Sequence, residues 1–296
     1  GAVYRELAKL ANVYLYNGDT RSIVNSLLKT DIKIDCIVYG LGYFAQGNPS
    51  FFGKVDGLDK LEIPVFCMLH KTQNLLKEKL EFCKINKIDL LLDSQSTFKE
   101  YGKIAGVRSI RFPFTASPEY FHPRQQIKKQ YDIGFSGALH GSGKISGPTR
   151  DLRTRVKDLL EDRKKYNVFW NGTDSVATRI ASVEEYAKKI NQSKIWLSTT
   201  GPMEDIGPRY FEVILSKTLL FCNEMLEENA DYFVDGKTCV TFKNDLSNFE
   251  EKLDYYLKND DERNAIIENS YNLFLNNFTW KHMAEKIVEE VKTYKH

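Results

Sequence analysis

The chain has 296 residues, 42% hydrophobic and 28% charged, with a formal net charge of +2. That composition excludes a disordered or fibrous chain, the length suits one large domain or two ordinary ones, and the small charge excludes a surface dedicated to coating nucleic acid. No apolar run approaches the ~20 residues that span a bilayer, and the N-terminus lacks the shape of a signal peptide. The five cysteines (Cys36, Cys67, Cys83, Cys222, Cys239) form no CxxC pair and sit mostly in apolar runs, so they read as buried, reduced thiols. The expectation is a cytoplasmic protein without a transmembrane segment.

Short apolar runs alternate with amphipathic ones from the start. "NVYLYNG" predicts a strand, "TRSIVNSLLK" a helix capped by Thr20, and "IDCIVYG" a strand followed by the glycine-rich loop "GLGYFAQGNPSFFG". "IPVFCML", "IDLLLD" and "VRSIRFPF" predict further strands, separated by the helices "TQNLLKEKLEFCKIN" and "STFKEYGKIA". Nearly all-apolar strands alternating with helices imply a parallel sheet covered on both faces. "FTASPEYFHPRQQIKKQ", with Pro118 and Pro123, breaks the pattern and reads as an interdomain linker. The alternation then restarts: strands "YDIGFSG", "YNVFWNG", "KIWLSTT", "TLLFCNE" and "CVTFKN" around helices "RDLRTRVKDLLEDR", "SVEEYAKKIN" and "PRYFEVILSK". Amphipathic helices close the chain, the last capped by Thr279 with Glu285, Glu289 and Glu290 on its wet side. Two doubly wound domains would thus stand in tandem, with ligands expected at the carboxyl ends of the strands.

The stretch "GPRYFEVILSK" contains a conflict. Pro208 suits the first helical position, yet Arg209 then places a cation in the first turn, where the helix dipole repels it. Glu212 lies one turn on, along the same face. Either the two make a weak surface ion pair, or an anion such as a phosphate sits at the helix start and Glu212 accepts hydrogen bonds from a ribose diol. A second anion site is suggested by the loop after "YDIGFSG", with Gly137, Gly141, Gly143 and Gly147, and by Lys144, Arg150, Arg153 and Arg155 beside the next helix start. The loop lacks the GK[ST] ending of a Walker A motif and the GxGxxG of a Rossmann turn, and a solvated basic helix would account for it equally well.

Four motifs, in order, resemble the nucleotide-binding domain of the GT-B glycosyltransferases, in the CgeB/YkvP-like "glycosyltransferase family 1" group. They are "YDIGFSG" followed by an arginine-bearing helix, "EEYAKKINQSKIWLSTT", "GPRYFEVILSKTLLFCNE" and the run from Tyr232 to Trp280. Together they cover roughly residues 130–283, with Lys217 where the family usually has glycine. The resemblance implies a GT-B-like α/β fold, two Rossmann-like doubly wound domains facing across a cleft. Residues 1–128 would be the acceptor domain, joined by the C-terminal helix 279–296, and residues 129–278 would bind a nucleotide-sugar donor. It implies Arg209 at the diphosphate and Glu212 at the ribose. Ser136 and Gly137 would lie beside the phosphates, with Arg150 as the family arginine and Arg153 as its rival. Lys144 would add charge to the loop; Asn171, Gly172, Thr199 and Thr200 would line the site, with Pro208 at the helix start. The implied activity is metal-independent transfer of a sugar to a glycan or glycoconjugate hydroxyl, without cofactor; the sequence offers no DxD pair on an apolar strand and no His/Cys cluster at ligand spacing.

An inverting enzyme needs a base for the acceptor hydroxyl. Asp19, His70 and Asp93 stand at strand ends of the first half and are the candidates, although Asp19 and Asp93 would serve equally as helix caps and His70 as a structural histidine. The aromatic, glycine-rich loop 40–53 would shape the acceptor site or simply cross over. The rival readings are a GT-B-fold nucleotide-sugar epimerase and a non-catalytic module that binds a nucleotide or polyanion.

Overall fold

Apolar runs of strand length, separated by amphipathic runs of helix length, fold as parallel sheets with crossover helices. The computed structural model describes residues 2–16, 18–95, 97–140, 147–202, 204–226 and 231–294. Its chain divides into two units, Gly1–Pro113 with Lys281–His296, and Phe114–Trp280.

The first unit runs α1 (Ala2–Leu7), α2 (Ile23–Leu27), β1 (Ile37–Tyr39), α3 (Leu41–Phe44), β2 (Val65–Leu69), α4 (Leu76–Ile85), β3 (Leu90–Asp93), α5 (Phe98–Ala105) and β4 (Arg108–Arg111). Its four strands are parallel in the order β1-β2-β3-β4, with Leu69 opposite Asp93 and Asp93 opposite Arg111. Every residue of β2 and β3 is buried, which is why both read as unbroken apolar runs. Cys67, Leu69 and Leu91 share one core with Tyr39, Phe44, Phe52 and Phe82, whose rings pack edge-on or tilted around Phe82.

The second unit runs β5 (Tyr131–Gly137), α6 (Leu152–Arg163), β6 (Val168–Gly172), α7 (Val183–Asn191), β7 (Ser193–Ser198), α8 (Arg209–Leu215), β8 (Leu219–Asn223), β9 (Val240–Phe242), α9 (Phe249–Lys258) and α10 (Asp260–Asn277). Its five parallel strands take the order β6-β5-β7-β8-β9. Successive residues of β7 feed two different cores, Trp196 packing with α7 and α8 residues and Ile195 and Leu197 with α6 and α9 residues, so helices cover both faces. The last helix, α11 (Trp280–Tyr294), belongs almost entirely to the first unit. Lys286 Nζ donates to Arg111 O (3.0 Å), Arg108 pairs with Glu290 (3.0 Å from Nη2), and Tyr294 Oη donates to Asp89 Oδ1 (2.8 Å). Glu290 is therefore drawn onto β4 rather than standing in water.

Several sequence expectations are corrected. "NVYLYNG" forms no strand in its described residues; Tyr14 and Leu15 are exposed, and a strand exists only where a neighbour accepts its backbone hydrogen bonds. The helix after it is a 3₁₀ turn, Thr20–Ser22, leading into α2, and its cap is Asp19, not Thr20: the Asp19 side chain accepts from Arg21 N. The stretch 114–130, read as linker, packs within the second unit. Arg124 N donates to Asn191 Oδ1 (2.9 Å), Asn191 Nδ2 donates to His122 O (3.2 Å), and the Phe121 ring meets Tyr186.

β5 lies directly against β7 because position 134 is glycine. A Cβ there would stand 2.5 Å from the Trp196 ring and 2.6 Å from Ser193 Oγ. Gly134→Ala is expected to destabilise the second unit by about 1–3 kcal/mol, the usual range for overpacking a filled core. Chemical denaturation followed by tryptophan fluorescence measures it, and an unchanged midpoint would show that Trp196 yields freely.

Candidate functional site

The chain leaves β5 for β6 on one side of the sheet and later enters β7 on the other side. This reversal opens a crevice beyond the carboxyl ends of β5 and β7, the usual ligand position in such sheets. Ser136 pairs with Asn171 and Gly137 with Gly172 in the strand register. Ser136 Oγ and Asn171 Oδ1 are 3.2 Å apart, Asn171 Nδ2 donates to Thr178 O (3.0 Å), and Thr173 N donates to Gly137 O (3.0 Å). Four of the sequence-predicted residues thus meet at one strand-end corner.

Arg209 reaches this corner from α8. The helix has only seven residues, shorter than its sequence suggests, with Pro208 as its exposed N-cap. The Arg209 side chain turns back across β5. A Cβ on Gly137 would stand 2.9 Å from its Nη2 and 3.1 Å from Cζ, so only glycine leaves the guanidinium this path. Its Cζ lies 5.9 Å from the centre of the Phe135 ring, and Arg153 Cζ lies 5.8 Å from the same ring. Burial, and then the charge of Arg209, lower the pKa of Arg153 to about 10, which still leaves Arg153 charged at neutral pH. Glu212 offsets this only in part: burial raises its pKa although Arg209 acts to lower it. The half-buried Tyr186, its hydroxyl shielded from solvent, lies beside both Arg209 and Glu212.

Arg153 is 6% exposed and satisfied by neutral acceptors. Its Nε donates to Thr199 Oγ1 (2.7 Å), Nη1 to Ala138 O (2.6 Å) and toward His140 Nε2 (3.0 Å), and Nη2 to Thr199 O (3.4 Å). Arg150, its rival, is half-buried and among the described residues donates its Nε to His140 O (3.4 Å). Thr199 and Thr200 are buried and act as braces. Thr200 N donates to Asn223 Oδ1 (2.8 Å), whose Nδ2 donates to Thr200 Oγ1 (3.1 Å) and Asn244 Oδ1 (2.9 Å). Lys144 lies outside the described residues. His140 and Asp174 escaped the sequence reading, which weighed glycines and cations in that loop; Asp174 Oδ1 accepts from both Leu139 N (2.8 Å) and His140 N (2.9 Å).

In the first unit the three base candidates differ sharply. Asp19 is an exposed cap, and hydrogen bonding to Arg21 N holds its carboxyl below the usual range, which makes it a weak base. Asp93 ends β3 and is sealed from solvent. Its Oδ1 accepts from Gln95 N (2.9 Å), its Oδ2 is buried without a hydrogen-bond partner among the described residues, and burial pushes its pKa up to about 7. His70 follows β2 half-buried; burial, Lys71 and Lys79 push its pKa down to about 4, so its imidazole is neutral at pH 7. Lys79, wholly buried, donates to the carbonyls of His70 and Lys71 (both 2.9 Å). Of the three, Asp93 is sealed, Asp19 is accessible but tied up as a cap, and His70 combines partial access with an unprotonated ring.

The profile of a protein family described as glycosyl transferase-like matches residues 126–289, more than half of the chain. The chain belongs to this glycosyl transferase-like family. Among solved structures it is similar to a glycosyltransferase from Rickettsia africae (TM-score 0.60, 13% identity, 99% of this chain and 88% of that one). It is also similar to HepE of Anabaena in complex with UDP-glucose (TM-score 0.56, 10% identity, 88% and 79%) and to TarM (TM-score 0.54, 13% identity, 98% and 57%). These likenesses establish the GT-B fold. No match is found among curated proteins.

The glycosyltransferase therefore carries a cationic corner at the switch point of its second sheet, where the family profile also falls. No helix among its described residues is long and apolar enough to cross a membrane, and none of their His, Cys, Asp and Glu side chains group as a metal site. In its first unit the raised pKa of Asp93 has a stability consequence. A carboxyl whose folded pKa exceeds its unfolded value leaves stability intact below the unfolded pKa and removes it as pH rises through the folded one. The loss should develop between about pH 4 and pH 7 and reach roughly 4 kcal/mol. Asp93→Asn keeps the acceptor for Gln95 N and removes the charge. Its stability relative to the parent should rise from about pH 4 to pH 7 and level off above that in urea titrations; a pH-independent difference would rule out Asp93 as the titrating group.

Proposed function

We propose that the second unit binds the diphosphate of a nucleotide-sugar donor, and that the enzyme passes the sugar to a hydroxyl of a glycan or glycoconjugate in glycan biosynthesis. The observation that carries this reading is the pair of guanidiniums, Arg153 and Arg209, within 6 Å of one Phe135 ring. Two like charges held together in a part-buried site favour an anion of higher charge. Arg209 is the ligand-facing member, because Arg153 spends its donors on Thr199, Ala138 and His140. Glu212, next to Arg209, takes the ribose hydroxyls. Ser136, Gly137, Asn171 and Gly172 supply the strand-end surface beside the phosphates.

In the transfer, the acceptor oxygen bonds to the anomeric carbon as the bond from that carbon to the diphosphate breaks. The acceptor proton passes to a base, for which His70 is our assignment. Negative charge grows on the leaving diphosphate, and Arg209 stabilises it in the role a metal ion plays elsewhere. The similar structures named above include HepE with UDP-glucose, which makes UDP the first nucleotide to try.

Thermal-shift titration with UDP, GDP and CDP and their sugars tests the donor reading: one nucleotide should raise the melting temperature in a concentration-dependent way. Arg209→Ala should weaken that nucleotide by about tenfold or more, the value of a charge-assisted hydrogen bond, with the unliganded melting temperature close to the parent's. Gly137→Ala should act in the same direction, since its Cβ displaces the guanidinium. Stabilisation by no nucleotide would overturn the reading. Hydrolysis of the bound nucleotide sugar without acceptor would separate a transferase from a simple binding module.

Metal removal is a separate test. Turnover should be unchanged in excess EDTA, and a loss restored by magnesium would show that Arg209 does not neutralise the leaving group alone.

A further inference from the structure

His140 is held in a conformation that few side chains adopt. Its φ is +61°, in the left-handed region, at a cost of about 1 kcal/mol or more for a residue with a Cβ. Three contacts fix it there. Its N–H donates to Asp174 Oδ1 (2.9 Å), its carbonyl accepts from Arg150 Nε (3.4 Å), and its ring Nε2 stands 3.0 Å from Arg153 Nη1.

The last contact determines the tautomer. Arginine only donates, so Nε2 must present its lone pair to Arg153. The neutral ring then carries its proton on Nδ1. No described residue accepts a hydrogen bond from Nδ1. Burial lowers the pKa of this half-buried histidine, Arg153 and Arg209 lower it further, and Asp174 opposes them. Protonation would put a second donor against Arg153 and break the contact that orients the ring.

We infer that His140 is a neutral hydrogen-bond donor, through Nδ1–H, to the diphosphate bound beside Arg209. This rests on the donor reading of the second unit. The division of labour has a physical reason. Arg153 and Arg209 already place two positive charges around Phe135. A neutral donor adds a directed bond to a phosphate oxygen without adding a third. Arg153, buried and satisfied, is the positioning residue that aims it.

The test uses the whole chain labelled with ¹⁵N-histidine and inorganic pyrophosphate as the probe, since pyrophosphate is independent of the nucleotide base. Long-range ¹H–¹⁵N spectra at pH 7.5, with His140 assigned by its absence in His140→Ala, should show the Nδ1–H tautomer and a shift of its signals on saturation with pyrophosphate. An Nε2–H tautomer, an imidazolium, or signals unmoved at saturation would overturn the inference. In affinity measurements, His140→Ala and His140→Gln should lose about tenfold, one hydrogen bond to a charged group. His140→Asn, whose amide nitrogen stands near the place of Nδ1, should recover most of it. Equal loss in all three variants, or loss in none, would overturn it. If the parent binds pyrophosphate and Arg209→Ala weakens that binding while the His140 variants do not, the inference alone fails. If the parent binds neither pyrophosphate nor any nucleoside diphosphate, the donor reading falls with it.

Discussion

The second unit is organised around the confinement of two like charges. Arg153 and Arg209 approach one aromatic ring at the end of β5, and such an arrangement is unfavourable unless the charges are solvated by something other than water. The protein solvates them unequally. Arg153 is surrounded by carbonyls, a threonine hydroxyl and an imidazole, none carrying a full negative charge. Arg209 has Glu212 as its charged neighbour, and that carboxyl is itself penalised by burial. Positive potential is therefore left at the strand end, where a multiply charged anion gains most.

Backbone shape makes the confinement possible. Gly134 admits Trp196, which locks β5 to β7, and Gly137 admits the Arg209 guanidinium. Gly201 has a similar role in the turn after β7, where an added Cβ would meet Asp205 Oδ1 at 2.2 Å. The Thr200–Asn223–Asn244 chain of hydrogen bonds ties that turn to the ends of β8 and β9. The strand ends are thus rigid, while the chemistry comes from side chains that reach them from α6, α8 and the loop after β5. A rigid first contact layer limits the reorganisation needed when charge moves onto a leaving group.

The first unit handles its strand-end polar groups differently. Lys79 covers the carbonyls that follow β2, and Asp93 is sealed beneath the turn after β3. Both are buried ionisable groups whose charged forms burial disfavours, so they hold the backbone in place at an electrostatic cost. His70, which precedes both in sequence, keeps partial access and a neutral ring.

Periodicity alone determined most of the architecture. Unbroken apolar runs such as "FCML" and "LLLD" can only be strands covered on both faces, and the alternation with helices makes them parallel. Arg209 was conspicuous because a cation in a first helical turn contradicts local electrostatics, whereas Ser136, Gly137, Asn171 and Gly172 were placed at the site by the resemblance of their motifs to the GT-B nucleotide-binding domain. Other features were not legible. "NVYLYNG" has strand composition, but pairing depends on a neighbour that local sequence does not name. Residues 114–130 look like linker, yet Asn191, far along the chain, pairs with the backbone of His122 and Arg124. Arg150 and Arg153 are equivalent on paper; only the packing of α6 against β5 buries Arg153 and leaves Arg150 half-buried. The same packing orients His140, whose tautomer is dictated by an arginine thirteen positions later. Local composition determines which segments become strands and which residue types stand at their ends. Which of those residues meet, and in which protonation state, is decided by contacts between distant segments, because burial and neighbouring charge exist only once the chain has folded.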